Sequence, residues 1–311
     1  MLDVKRLRVL REVAAKGSFS AAAESLAYTQ SAVSQQIAAL EREAGTRLVD
    51  RSARGVRMTD AGRALVRHAD VILARLSDAE AELEAIAGLR GGRVRLVSFA
   101  SAGATLMPRA IALFRERHPA VELTLEPAEP EDAVAKLRSG DADIALTIDA
   151  EFCSLTDEGV EVTHLLDDPM YAVLPRDHPL AAKPRIRLRE LREDAWLAGS
   201  QRGCPDTMIL VRACNAAGFE PRIAFHSDDY LAIQGFVAAG VGVSLIPDLA
   251  LLAVRDDVVI RALKESPPVR RIQAATLRDG YKSPAIEAMM GTLQEVGREF
   301  ETQRQELALA S

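Results

Sequence analysis

The residues in this chain best placed for chemistry form a run of short polar side chains. Gln30, Ser31, Ser34, Gln35 and Gln36 share one side of a segment whose Val33, Ile37 and Leu40 recur at i, i+4 and i+7. Amides and hydroxyls carry donors and acceptors on short stems, the groups that hydrogen-bond base edges, while a charged rim would hold phosphates. A solvated helix face would normally carry Glu and Lys, and this one starts almost uncharged. An ordinary amphipathic hairpin is the competing reading of these few residues.

The elements that must position this face are legible around it. A first helix spans residues 2–16, with Val4, Leu7, Leu10, Val13 and Ala14 as its core stripe. Ser18 is a good N-cap for a second helix bearing Phe19, Ala22, Ala23 and Leu26. The pattern breaks at Tyr28-Thr29-Gln30, restarts, and stops at Gly45. From Arg47 to Gly62, two apolar pieces (Leu48-Val49, then Val56 with Met58) flank Arg51, Ser52, Arg54 and Gly55. That predicts a small hairpin with a basic tip, a wing beside a recognition helix.

The run Gly17 to Ala23, then Leu26, Thr29 to Ile37, Leu40-Glu41, Gly45, Leu48, Arg51, Arg54 and Thr59-Asp60-Ala61-Gly62, resembles the N-terminal signature of LysR-type transcriptional regulators. Residues beyond about 90 resemble the effector domain of that family more loosely. The resemblance implies a DNA-binding transcription regulator, not an enzyme, with Ser20, Gln30, Ser31, Ser34, Gln35, Gln36, Arg51 and Arg54 on the DNA and Arg54 in the minor groove. It implies double-stranded DNA and a small-molecule effector as partners, no cofactor besides that effector, and assembly as a homodimer or homotetramer. RNA polymerase is a further expected partner.

A helix is predicted from Thr59 to about Gly88, roughly 40 Å long at about 1.5 Å per residue. Leu65, Ile72, Ala79 and Ile86 repeat every seven residues, and Ala69, Leu76 and Leu83 repeat likewise, offset by four. Its other faces carry Asp78, Glu80, Glu82 and Glu84, so a dimerising seam fits better than a helix buried in its own domain. The expected division is 1–59 winged helix-turn-helix, 60–89 linker helix, and 90–311 effector domain. Within the last, lobe I takes 92–162 and 268–303 and lobe II takes 163–267.

Beyond the hinge at residues 90–93, strands are predicted at 94–99, 121–125 and 144–148, with helices at 105–118 and 130–139 between them. This βαβαβ rhythm predicts a doubly wound parallel sheet. A second set follows: strands at 170–174, 196–198, 223–225 and 243–246, with helices at 206–217 and 230–239. The strand 270–277 returns to the first lobe and a helix from Pro284 to about Gln303 closes it. Two such α/β lobes resemble the periplasmic-binding-protein fold that LysR-type effector domains use.

Ligands in such sheets bind beyond the C-terminal ends of the strands. Ser98, Ala100, Ser101, Ala102 and Thr147 from the first lobe, with Ser200, Gln201, Arg202, Phe225 and Ser227 from the second, are the expected effector residues. Hydroxyls and one arginine suggest a small anionic or zwitterionic metabolite. The plain alternative is that each Ser or Thr merely caps its helix.

Charge distribution agrees with this division. The net charge of −6 hides ten Lys/Arg against seven Asp/Glu in residues 1–60, so a basic head (+3) precedes an acidic body (−9). No apolar run approaches the roughly 18 residues of a membrane span. The charged N-terminus MLDVKRLRVLREV lacks a signal-peptide core, so the cytoplasm is the expected compartment. Cys153, Cys204 and Cys214 form no CxxC pair, and no metal is expected. A thiol switch of the kind some LysR-type regulators use is the alternative. It is disfavoured because Cys204, just before a helix, and Cys214, late in it, would stand about 15 Å apart. An enzyme or solute-binding protein is the reading from another class. His68, His118, His164, His178 and His226 are scattered, and no nucleophile elbow, P-loop or HExxH occurs.

Overall fold

The computed structural model describes residues 1–52, 55–86, 92–149, 159–199 and 205–310. Helix α1 (Val4–Lys16) starts on Asp3, whose carboxylate accepts from the Lys5 and Arg6 amides. Leu7, Leu10 and Val13 are buried as their spacing predicts; Val4 is exposed and Val9 joins the core instead. Ser18 caps α2 (Phe19–Ser25) by accepting from the Ala21 amide, and Thr29 caps α3 (Gln30–Ala44) by accepting from Ala32. Phe19, Ala22 and Ala23 meet Val33, Ile37, Leu40 and Leu48 in one apolar core. Each large side chain buried there contributes about 1.5–3 kcal/mol relative to exposure.

The wing is the antiparallel pair β1 (Val49–Ser52) and β2 (Gly55–Met58). The Glu41 carboxylate accepts from the Leu48 and Val49 amides at 2.8 and 3.2 Å, which ties the wing to the last turns of α3. Thr59 then opens α4 (Asp60–Ile86), donating to the Arg47 carbonyl and accepting from the Gly62 amide. Any Cβ at Gly62 would stand 2.0 Å from the Leu48 carbonyl oxygen, so only glycine lets α4 start this close to the wing.

Helix α4 divides its apolar positions between three surroundings. Leu65, Val66 and Ala69 pack into the head core. Leu73 and Ala74 are buried further along, with Gly140 (φ +70°) so close that a Cβ there would lie 2.8 Å from the Ala74 Cα. Val71, Ile72, Leu76 and Leu83 are exposed. The expected seam is therefore split: Leu65 and Ala69 serve the chain's own core, and Ile72, Leu76 and Leu83 remain on the surface. Arg11 of α1 adds a polar tie to the body, donating to the Ser139 carbonyl (2.9 Å) and the Asp141 carboxylate (3.2 Å).

In the first lobe, β3 (Arg93–Ser98), α5 (Ala100–Ala104), α6 (Leu106–Arg117), β4 (Glu122–Pro127), α7 (Pro130–Arg138) and β5 (Ile144–Asp149) alternate. Strand β3 lies parallel to both β4 and β5, the doubly wound order expected. The long strand β6 (Val160–Pro175) crosses between lobes. The second lobe holds β7 (Arg185–Ile186), β8 (Ala195–Ala198), α8 (Pro205–Ala216), β9 (Arg222–His226), α9 (Tyr230–Ala238), β10 (Ser244–Pro247) and β11 (Val258–Leu263). Strand β12 (Val269–Leu277) returns between β5 and β6, and α10 (Pro284–Ala310) packs on the first lobe.

Residues 160–169 of β6 pair with β12, whereas 170–175 pair with β10 and β11. The crossover thus falls near Asp168, later than the boundary expected at 162–163, because one unbroken strand serves both sheets. Strand β11, paired between β6 and β7, and the edge strand β7 have no counterpart in the sequence reading.

Candidate functional site

Two places in the fold collect polar side chains. In the head, Thr29 sits at the start of α3 with its hydroxyl 3.0 Å from that of Ser31. Ser20, Gln30, Ser31 and Gln35 are exposed and Ser34 is half-buried, so the α2–α3 pair presents a contiguous polar edge. Gln36 is different. It is half-buried and accepts from Arg6 Nε at 3.2 Å, while the same guanidinium pairs with Glu43. Its amide oxygen therefore braces α1 against α3, and the exposed polar edge ends at Gln35. Of the wing residues, Arg54 lies outside the described residues, and so does the Arg51 side chain.

In the body, a cleft with about 50 Å³ of free space opens between the lobes. Its first-lobe wall includes Phe99, Ala100, Ser101, Glu129 and Ile148, and its second-lobe wall includes Ala198, Asp206, Ser227, Asp228 and Tyr230. At its base lies Arg270 of β12, 1% exposed, against Asp168 of β6, which is fully buried.

The guanidinium of Arg270 is fully engaged. Nε and Nη2 donate to Asp168 Oδ2 (3.1 and 2.5 Å), and Nη2 also donates to Ser101 Oγ (2.8 Å). Nη1 donates to Asp206 (3.0 and 3.2 Å) and lies 3.5 Å from the Tyr230 hydroxyl, which itself donates to Asp206. Burial alone would lower the arginine pKa, but Asp206 and Asp168 outweigh it and hold Arg270 above the ordinary arginine range. A buried charge pair is tolerated only when its remaining valences are met, and here the Leu249 amide completes Asp168 at 3.1 Å. Ser101 of α5 and Arg270 of β12 come from the first lobe, Asp206 and Tyr230 from the second. The cluster therefore spans the cleft floor and joins the lobes.

Glu129, the residue preceding α7, completes the charge pattern. Burial, with Asp206 and Asp228 nearby, pushes its carboxyl above the usual range despite the opposing pull of Arg270.

With this geometry in place, the comparisons decide the family. The family model of bacterial regulatory helix-turn-helix proteins, lysR family, matches residues 4–63, and that of the LysR substrate binding domain matches residues 87–298. The chain belongs to the LysR family. It is a DNA-binding transcriptional regulator with an effector-binding domain. The transcriptional dual regulator GltC of Bacillus subtilis (strain 168) is 29% identical, over 87% of this chain and 89% of its own. A full-length OxyR variant from Pseudomonas aeruginosa superposes with a TM-score of 0.72 at 24% identity, over 96% of this chain and 97% of its own. Full-length CbnR complexed with its target DNA superposes with a TM-score of 0.66 at 20% identity, over 95% and 100%. These two structural likenesses show a shared fold.

Within this LysR-type regulator, the cleft gathers only some of the expected effector residues. Ala100, Ser101 and Ser227 line it. Ser98, Ala102, Thr147 and Phe225 do not. Ser98 is buried and donates to the Phe99 carbonyl (3.1 Å), Ala102 lies in the first-lobe core, and Phe225 stacks on Phe236 at 4.4 Å between ring centroids. Thr147 is fully buried, and its hydroxyl has no hydrogen-bond partner among the described residues. Successive strand residues face opposite ways, so Thr147 turns from the side on which Ile148 reaches the cleft. Ser227 also accepts from the Asp229 amide (3.2 Å), but it does not cap a helix: Asp229 caps α9 by accepting from the Leu231 and Ala232 amides. Ser200, Gln201 and Arg202 lie outside the described residues.

Sequence reasoning missed Arg270, Asp168, Asp206, Tyr230 and Glu129. A signal existed for two of them: Asp168 and Arg270 are charges set inside strands that otherwise read as apolar. Of the thiols, Cys214 is fully buried, and burial pushes its pKa up to about 12. A thiol held that far from its thiolate is a poor redox sensor. Cys153 and Cys204 lie outside the described residues. No helix among the described residues is long and apolar enough to cross a membrane.

Proposed function

We propose that this regulator works as a homodimer paired through residues 60–89, or as a tetramer built from such dimers. It binds a dyad-symmetric promoter site and answers to a small molecule held between the lobes. The observation that carries the reading is the combination of an exposed polar edge on α3 with exposed Ile72, Leu76 and Leu83 on α4. A dimer formed there sets two recognition helices at a fixed spacing, which calls for two half-sites. Ser20, Gln30, Ser31, Ser34 and Gln35 face base edges and nearby phosphates, with Arg51 and Arg54 on the wing. Lys and Arg contacts to phosphates supply most of the affinity and its salt dependence. The role is regulatory and non-enzymatic, with the effector as its only small-molecule partner, RNA polymerase as a further partner and the cytoplasm as its place of work. CbnR, a family member of the same fold, is solved on its target DNA, which supports the orientation of the head.

Effector binding acts by favouring one arrangement of the lobes over another, and only differential affinity can do so. The test is thermal melting and gel shift of the full chain with DNA from upstream of its own gene, in low and high salt. Binding at low salt that weakens steeply with added salt supports the reading; no effect of the DNA at low salt refutes it. Gln35→Ala is expected to lower discrimination at one or two base pairs by about 1–3 kcal/mol each. An unaltered consensus in a binding-site selection with that variant would remove Gln35 from the base-reading set.

A further inference from the structure

We infer that this regulator carries a second small-molecule site, a groove that takes an organic dianion with an apolar body. The inference goes beyond the reading above, which gives the protein one small-molecule partner. The cleft holds only about 50 Å³ of free space, whereas a groove of about 1230 Å³ opens elsewhere along the junction of the lobes. Arg109 of α6 with Phe300 and Arg304 of α10 forms its first-lobe side. Lys183, Arg185, Leu252 and Lys264 belong to its second-lobe side. None of the residues that line the groove lines the cleft.

The charge of the groove runs against that of its surroundings. Residues 61–311 carry a net charge of −9, yet the described lining sets five cations against one carboxylate, Asp248. Two of the five are already engaged. Lys183 pairs with Glu190 at 2.6 Å, and Arg304 donates to the Asp167 carbonyl while its charge also reaches Asp248. Arg109 has neutral partners only, the Gln303 amide oxygen at 3.2 Å and the Phe300 ring at 4.3 Å from its centroid. Arg185 and Lys264 make no ion pair among the described residues. Glu190, whose carboxyl feels Lys264, is held down to about 2, first of all by its hydrogen bond from Lys183.

Strand geometry fixes the second-lobe pair. Arg185 of β7 stands opposite Ala262 of β11, and the Lys264 amide donates to the Ile186 carbonyl at 2.8 Å. Alternation turns Ile186 and Leu263 into the second-lobe core and leaves Arg185, Ala262 and Lys264 on the groove face. Two like charges are thus held on one face, and an anion seated there relieves their repulsion. Arg109, across the lobe junction, is the donor for its other charge. The lining between these cations is apolar: Leu251 and Phe300 are half-buried, and Leu252 is 63% exposed. A hydrocarbon body covers Leu252 while its charged ends pair, which a bare inorganic ion cannot do. The groove also meets the cleft floor, because Leu249 lines the groove and its amide donates to Asp168, the partner of Arg270.

The experiment measures calorimetric binding and thermal shift on the full chain without DNA. The probes are terephthalate and phenyl phosphate, with inorganic phosphate (no apolar body) and benzyl alcohol (no charge) as controls. Arg185→Gln and Lys264→Gln each remove one exposed charge, and Leu252→Glu places a carboxylate on the apolar lining. Ala100→Trp fills the cleft from an exposed position and leaves the groove untouched. The expected result is binding of at least one dianion, equal in the unaltered chain and in Ala100→Trp. Its affinity is at least about tenfold weaker in each charge variant and is lost in Leu252→Glu. A response to terephthalate alone or to phenyl phosphate alone supports the site and names its head group as carboxylate or phosphate. Binding that Ala100→Trp abolishes and the groove variants leave unchanged overturns the second site and places the ligand in the cleft. Inorganic phosphate or benzyl alcohol binding as tightly as the dianions overturns the ligand class. No binding of either dianion at millimolar concentration overturns the inference and leaves the reading of the cleft as it stands.

Discussion

The head and the cleft of this regulator are built on opposite plans. In the head, the polar groups stand on the outside of one helix, and what orders them is close in the chain. Thr29 caps the helix whose first turns carry Gln30, Ser31, Ser34 and Gln35, and Arg6 ties to Gln36 and Glu43 across only 30 and 37 residues. In the cleft, the organising charge is inside, and its partners come from afar. Arg270 reaches Asp206, Asp168 and Ser101 across 64, 102 and 169 residues. The head offers side chains for an outside partner to satisfy; the cleft floor satisfies its own. Recognition surfaces can afford exposed, loosely held groups, whereas a joint that must choose between lobe arrangements needs a buried element with few alternatives.

The largest effect that would test this contrast comes from the floor. Arg270→Met keeps the volume of the side chain but leaves Asp168 buried with only the Leu249 amide as a donor. Removing one member of a buried pair typically costs about 3–5 kcal/mol, and that loss should appear in the urea unfolding midpoint of the full chain. Replacing both partners, as Arg270→Met with Asp168→Leu, should recover much of it, since an uncompensated charge is what destabilises the single variant. An equal loss in the double variant would mean that the cluster acts through packing and not through charge.

The head is sensitive at a different kind of place. Gly62→Ala pushes a Cβ to 2.0 Å from the Leu48 carbonyl oxygen, a backbone atom that cannot swing aside. Overpacking of this kind costs about 1–3 kcal/mol and would shift the wing against α3. The expected outcome is a lower melting temperature together with weaker DNA binding, while small-molecule binding by the body is unchanged. Parallel loss of both activities would show that head and body are coupled more tightly than Arg11 and the Gly140 contact suggest.

The same contrast explains what could be read from the sequence. Helices α1 to α4 and the wing were legible because caps and stripes act within a few residues: Ser18, Thr29 and Thr59 cap as their types predict. The alternating strands and helices of both lobes were legible for the same reason. The cleft was legible as a location, beyond the strand ends, but not as a set of residues. Hydroxyls near strand ends are common, and local sequence does not say which way each one turns; Ser101 and Ser227 face the cleft whereas Ser98 and Thr147 do not. Asp168 and Arg270 each stand out as a charge inside an apolar strand, but nothing local pairs one with the other across 102 residues. The crossover in β6 was misplaced because a strand shared by two sheets carries no internal break.

Thr147 gives the smallest expected effect and the sharpest division between the two ways of reading the molecule. By residue type and position at the end of a strand it belongs with effector contacts; by geometry its hydroxyl is fully buried, without a partner among the described residues, on the strand face away from the cleft. A buried polar group without a partner forfeits its hydration and gains nothing in exchange, so removing it should help. Thr147→Val replaces the hydroxyl by a methyl of nearly the same shape, and the protein is expected to gain about 1 kcal/mol, read as a higher urea midpoint. Binding in the cleft and binding to DNA should both be unchanged. If the variant instead loses its response to cleft ligands while gaining stability, the hydroxyl meets the effector in the bound state. Thr147 would then join Ala100, Ser101 and Ser227 among the residues within reach of a ligand in the cleft.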